Sequence, residues 1–124
     1  MRALLVRVAM LALVSAVVPL SAHHAWPVSY AQLVTVNGTV TEFAWGNPHP
    51  MITIDVRTSD GKTEKWSIGG PATNRMEANG WNRTTVKPGD VITGIGYQFS
   101  DGQKIIRLEH VVLPDGKKIR VYAR

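Results

Sequence analysis

Apolar and polar residues alternate with a period of two through most of the chain beyond residue 33, and turn signals interrupt the alternation at short, regular spacing. A period of two places alternate side chains on opposite faces of an extended strand, so the pattern predicts a series of short half-buried strands. Residues 33–45 form the first, with Asn37-Gly38 marking a bulge or sharp bend, and Asn47-Pro48-His49-Pro50 ends it. In 51–58, Ile52, Ile54 and Val56 share one face while Thr53, Asp55 and Arg57 share the other. Asp60-Gly61 supplies a hairpin turn, and 62–68 returns with Trp66 and Ile68 on one face before Gly69-Gly70-Pro71 terminates it.

The period then changes. Residues 71–79 carry Pro at a helix-start position, helix formers around Met76-Glu77-Ala78 and Gly80 as a left-handed cap, which predicts one short helix. Lys87-Pro88-Gly89-Asp90 turns into a strand over 91–99, and Asp101-Gly102 turns into another over 104–113, where Ile106, Leu108, His110 and Val112 share one parity. Pro114-Asp115-Gly116 precedes a last short strand through Tyr122. Three strands, a helix, two strands and a terminal arm match the barrel that binds oligonucleotides and oligosaccharides. The predicted fold is therefore mainly β: a small five- to six-stranded OB-fold-like antiparallel barrel with one short helix between strands 3 and 4. Glycines at 38, 94 and 96 suit the bending that so small a barrel demands.

The front of the chain obeys different rules. Arg2 and Arg7 give a basic start, 8–18 is an uncharged run, and Pro19 precedes Leu20-Ser21-Ala22, a pattern that predicts a cleavable export signal over residues 1–22. The run is shorter than the roughly 20 residues of a spanning helix, so the expectation is a periplasmic protein with no transmembrane segment after cleavage. Residues 23–32 then form an amino-terminal segment and 33–124 a single barrel domain. Removing 1–22 from the 124 residues leaves 102, enough for one modest core.

Composition narrows the chemistry. With no cysteine, disulfides, thiolate metal sites and a cysteine nucleophile are excluded. Loss of Arg2 and Arg7 lowers the formal charge from +5 to +3, and the remaining basic residues are scattered, so no nucleic-acid footprint is expected. Lys117-Lys118-Ile119-Arg120 is the densest patch and reads as a solvated hairpin end. No phosphate loop, zinc-protease or serine-hydrolase motif is present, and Glu42, Asp55, Glu64 and Glu109 read as surface pairs of a sheet. A binding protein, and not an enzyme, is the expectation.

Histidines carry the candidate chemistry. Cleavage after Ala22 makes His23 the first residue, whose amine and ring nitrogen can chelate a metal beside His24; cleavage after Ser21 makes His24 the third residue, a square-planar site for Cu(II) or Ni(II). Histidines near a chain end also serve simply as polar residues on a frayed terminus. His49 is held between Pro48 and Pro50, whose fixed φ angles limit the entropy lost on binding, although the same residues make an ordinary stiff turn. Met51 could add a soft thioether suited to Cu(I), whereas Trp45 reads as core packing. His110, on an apolar face, reads as a packed residue.

The mature His23-His24 start, Gly38-x-Val40, Trp45-x-Asn47-Pro48-His49, Gly69-Gly70-Pro71, Gly80-Trp81, Lys87-Pro88-Gly89-Asp90 and Leu113-Pro114-Asp115-Gly116 together resemble a family of small exported proteobacterial proteins described as a domain of unknown function. That resemblance spans nearly the whole mature chain and implies a periplasmic single domain with no established activity. Trp45, His49 and Met51 are similar, more loosely, to the periplasmic copper and silver chaperones of cation-efflux systems, though a second methionine is lacking.

The sequence reading is a periplasmic metal-binding protein or chaperone using His23, His24, His49 and Met51. Copper is the expected ion, with zinc or nickel as alternatives. The competing reading is a non-metal envelope module that binds a protein or polysaccharide partner, in which Trp81 would be a contact aromatic, although anchoring of the helix to the barrel is the preferred role for that residue. A copper-dependent oxidase of the amino-terminal-histidine type ranks third.

Overall fold

The structure, a computed structural model, describes residues 25–122. The predicted leader and the pair His23 and His24 lie outside the described residues. Six strands and one helix follow in the order β1 (Val34–Ala44), β2 (Met51–Arg57), β3 (Thr63–Gly69), α1 (Thr73–Glu77), β4 (Val91–Gln98), β5 (Ile105–Val112) and β6 (Lys118–Arg120). Turn chemistry sets the strand ends: Gly61, Gly102 and Gly116 take up positive φ after Asp60, Asp101 and Asp115, where L side chains rarely go.

The sheet runs β3-β2-β1-β4-β5-β6, and an additional parallel pairing of β3 with β5 closes the first five strands into a barrel. The barrel is thus mixed rather than wholly antiparallel as expected. Parallel partners need a long connection, and here α1, β4 and the turns between β3 and β5 supply it. β1 belongs to two hairpin-like pairings. Its residues 34–39 pair with β4 and its residues 39–44 pair with β2. Gly38 sits at this change of partner, where a Cβ would run into the backbone carbonyl of Asp55. The predicted bend is therefore at Asn37-Gly38, but the bulge is three residues on, at Thr41, between the pairs Val40 with Ile54 and Glu42 with Thr53.

A second bulge corrects the sequence reading of β5. The partners Ile95 with His110 and Gly96 with Leu108 leave Glu109 as the extra residue. Alternation resets there, so after Ile106 and Leu108 the next inward side chain is Val111, fully buried, instead of His110 and Val112. The Glu109 carbonyl, taken out of the β4 ladder, accepts the Val121 N–H at 3.1 Å. The same bulge brings the Arg107 backbone over Gly96, where a Cβ would lie 2.9 Å from the Arg107 carbonyl carbon.

Inward positions agree with the alternation elsewhere. Ile52, Ile54, Ile68, Ile92 and Ile106 are at most 2 % exposed, and Val56 and Trp66 pack at the margin. The helix is shorter than the predicted 71–79: Ala72 is its N-cap, and residues 78–80 unwind into a turn with Gly80 at φ 88°. It delivers Met76 and Trp81 to one end of the core. The Trp81 indole donates to the Arg120 carbonyl at 2.8 Å, so this ring ties the helix to β6 and is not an exposed contact aromatic. Among the described residues no helix is long and apolar enough to cross a membrane.

Gly96→Ala forces a Cβ into backbone that cannot give, and it should cost about 2 kcal/mol or more. Gly46, with nothing within 4 Å of its notional Cβ, should tolerate the same change within about 1 kcal/mol. Urea unfolding midpoints of the two variants measure the contrast.

Candidate functional site

Inward and outward parity place the site on the outside of the barrel wall. Because Ile68 and Ile106 point inward as neighbours across the β3/β5 seam, the next pair, Gly69 and Arg107, points outward. Met51, paired with Gly69 on its other side, also faces outward. A Cβ on Gly69 would lie 2.5 Å from the Trp26 ring and 3.1 Å from the Met51 sulfur, so the missing side chain is what lets both groups settle on the wall. Gly70 plays the same part for α1, since a Cβ there would collide with the Met76 sulfur.

The Asn47-Pro48-His49-Pro50 segment is clipped to this region by side chain and backbone. Asn47 Oδ1 accepts from the Thr73 N–H at 3.1 Å and from its hydroxyl at 3.2 Å, which satisfies a donor at the start of α1. The Asn47–Pro48 peptide is cis. The Gly70 N–H donates to the Pro50 carbonyl at 2.9 Å, and His49 Nδ1 lies 3.1 Å from the Gly70 carbonyl. A carbonyl only accepts, so Nδ1 carries the proton, and Nε2 of the neutral ring holds the lone pair. This is the arrangement that orients a metal-binding imidazole.

Residues 25–30 run as a strap to the same place. Val28 bridges to Phe99, and the Ser100 N–H donates to the Pro27 carbonyl at 2.8 Å. Trp26 packs its ring against His49 with centroids 4.6 Å apart and against Phe99 at 6.0 Å. Further along, Tyr30 packs on Tyr97 and approaches the Arg107 guanidinium at 5.5 Å. Arg107 stands 3.9 Å over the Tyr122 ring and pairs with Glu109, a held cation whose Nε has no partner among the described residues. Burial pushes the Tyr122 phenol above its ordinary value, with Arg107 opposing, so the hydroxyl keeps its proton at neutral pH.

Between strap, loop, helix and wall lies a cavity of ≈ 330 Å³ lined by Ala25, Trp26, Tyr30, Pro48, His49, Pro71, Ala72, Arg75, Arg107 and Tyr122. Of the sequence-predicted residues it contains His49, and Ala25 is the neighbour of His24 in the chain. Met51 sits beside the cavity without lining it. Trp45 packs on Phe43 at 5.7 Å, and Phe43 on Trp81, as the core reading expected. Among the described residues no three His, Cys, Asp or Glu side chains group as a metal site. Tyr30, Arg75, Arg107 and Tyr122 were not legible as site residues, because they come from four separate segments; the two aromatics Trp26 and Tyr30, close together ahead of the first strand, were the available signal.

The motifs that build this wall and loop fall inside a match over residues 10–106. The chain belongs to the family of unknown function DUF6152. The family match includes Trp26, His49, Gly69, Gly70 and Arg75, and it stops one residue short of Arg107. None of the curated proteins matches the chain.

His110 stands apart, on the outer face opposite Ile95 and Arg120, with its Nε2 buried and without a partner among the described residues. Burial lowers its pKa, and the nearby Lys118 and Arg120 lower it further, against a smaller raising effect of Glu109. Unfolded, the ring titrates at its ordinary value of 6.5. Between the folded and unfolded values the unfolded chain binds more protons, so stability falls as pH drops through 6.5. His110→Gln should flatten the slope of unfolding free energy across about pH 5 to 7, measured by denaturant titration at each pH.

The strap contact has its own test. Trp26→Ala removes a ring current from His49 and should shift the imidazole Hε1 resonance, and Gly69→Ala, by evicting the indole, should shift it in the same direction while costing about 1–3 kcal/mol.

Proposed function

We propose that this protein binds a metal ion in the periplasm, most readily copper, through His49 and the histidines of the mature amino terminus. The observation that supports the reading is the position of the strap. Ala25, the residue after His24, lines the same cavity as His49, and consecutive Cα atoms are only about 3.8 Å apart. The reading requires His24, joined directly to Ala25, to turn toward an imidazole whose tautomer is already chosen by the Gly70 carbonyl. Preparing one ligand in this way lowers the ordering cost of binding.

Two or three imidazoles with a terminal amine form a nitrogen donor set suited to Cu(II), Ni(II) or Zn(II). A preference for Cu(I) would call on Met51, whose sulfur lies on the outer wall with Trp26. On this reading the role is capture and delivery and not turnover. Trp26 shields one face of the imidazole and would shield a bound ion from water.

Copper titration of the mature protein, with its terminus verified by mass, tests the reading against a form with one extra leading residue and against His49→Ala. Each change should weaken a one-to-one site by at least about tenfold, the scale on which even outer-shell partners matter. Equal, weak binding by all three forms would sink the proposal and favour a partner-binding envelope module.

A further inference from the structure

We propose that the cavity beside His49 also binds a planar organic carboxylate, its charge held by Arg75 and its ring set among Trp26, Tyr30 and Tyr122. The wall chemistry selects this class. Arg75, Arg107 and His49 line the cavity together with the three aromatic rings, and among the described lining residues there is no Asp or Glu. The organic ligand's charged group would therefore find two guanidiniums and, among the described residues, no carboxylate to pair with, which favours an anion.

The two guanidiniums are not equivalent. Arg107 is matched by Glu109 and lies over Tyr122, so its charge is already compensated. Arg75 is exposed at the last turn of α1 and has no carboxylate within ion-pair distance among the described residues. It is the cation left to answer an incoming anion, and guanidinium matches a carboxylate through two parallel hydrogen bonds. Tyr122, half-buried and protonated, offers a hydroxyl donor as well as a ring face.

Size and shape set the rest. At ≈ 330 Å³ the cavity is at the small end of ligand sites, which suits one ring and its acid group and excludes a polymer chain from being enclosed. An inorganic anion would use Arg75 and make no use of the aromatic walls. A flat ring between Trp26 and Tyr122 uses both kinds of surface.

The inference does not rest on metal binding, so the experiment uses the mature protein after chelator treatment. Calorimetric titration compares benzoate with benzamide, which has the same shape and no charge, and with acetate, which has the charge and no ring. Benzoate should bind one-to-one and at least about tenfold more tightly than either control, since a charge-assisted pair and a ring contact are each lost in one of them. Arg75→Gln should reduce benzoate affinity by about tenfold and leave benzamide unchanged, while Trp26→Ala should weaken both. Equal affinity for benzoate and benzamide, an unchanged benzoate affinity in Arg75→Gln, or no saturable binding of benzoate would each overturn the proposal. A protein that binds benzoate but not copper would retain this inference and lose the metal reading.

Discussion

Closure of the sheet by the parallel pairing of β3 with β5 is the constraint on which the rest of the molecule depends. Three paired positions, Ser67 with Ile105, Ile68 with Ile106 and Gly69 with Arg107, join the two edges. The middle pair faces inward and seals the core. The last faces outward and lays a bare glycine next to a long cation. Without that seam, the floor under Trp26 and the wall that holds Arg107 would belong to two unrelated sheet edges.

The same closure accounts for both bulges and for Gly96, which faces the second. A five-stranded barrel curves so tightly that strict alternation cannot persist along its longer strands. The extra residues Thr41 and Glu109 absorb the mismatch, one in β1 and one in β5. Each resets which side chains face inward. At Glu109 the reset frees its carbonyl for Val121, while its side chain pairs with Arg107, two positions earlier in the chain.

The strap turns this wall into a site. Apolar contact by Trp26 with Gly69 and His49, and of Tyr30 with Tyr97, holds the strap against the barrel with few backbone hydrogen bonds. The Asn47 clip to Thr73 and the His49 bond to Gly70 do the same for the loop. Membership of a family of unknown function covers most of these residues and leaves the chemistry to be argued from them.

By itself the sequence determined the element order, the turns, the short helix and the inward faces of β2 and β3, because these follow from alternation and from local turn residues that act within a few positions. It also singled out His49, since two flanking prolines are a local signal. It misassigned the end of β5, where a bulge inverts the alternation and puts Val111 inside in place of His110 and Val112, and it took a parallel closure for an antiparallel one. Both depend on which strand lies alongside, and that is a long-range fact. Only the tertiary structure decided that Trp26 rests on His49 and that Arg75, Arg107 and Tyr122 share one cavity with them, because closure of the barrel, and not any spacing along the chain, brings those segments together.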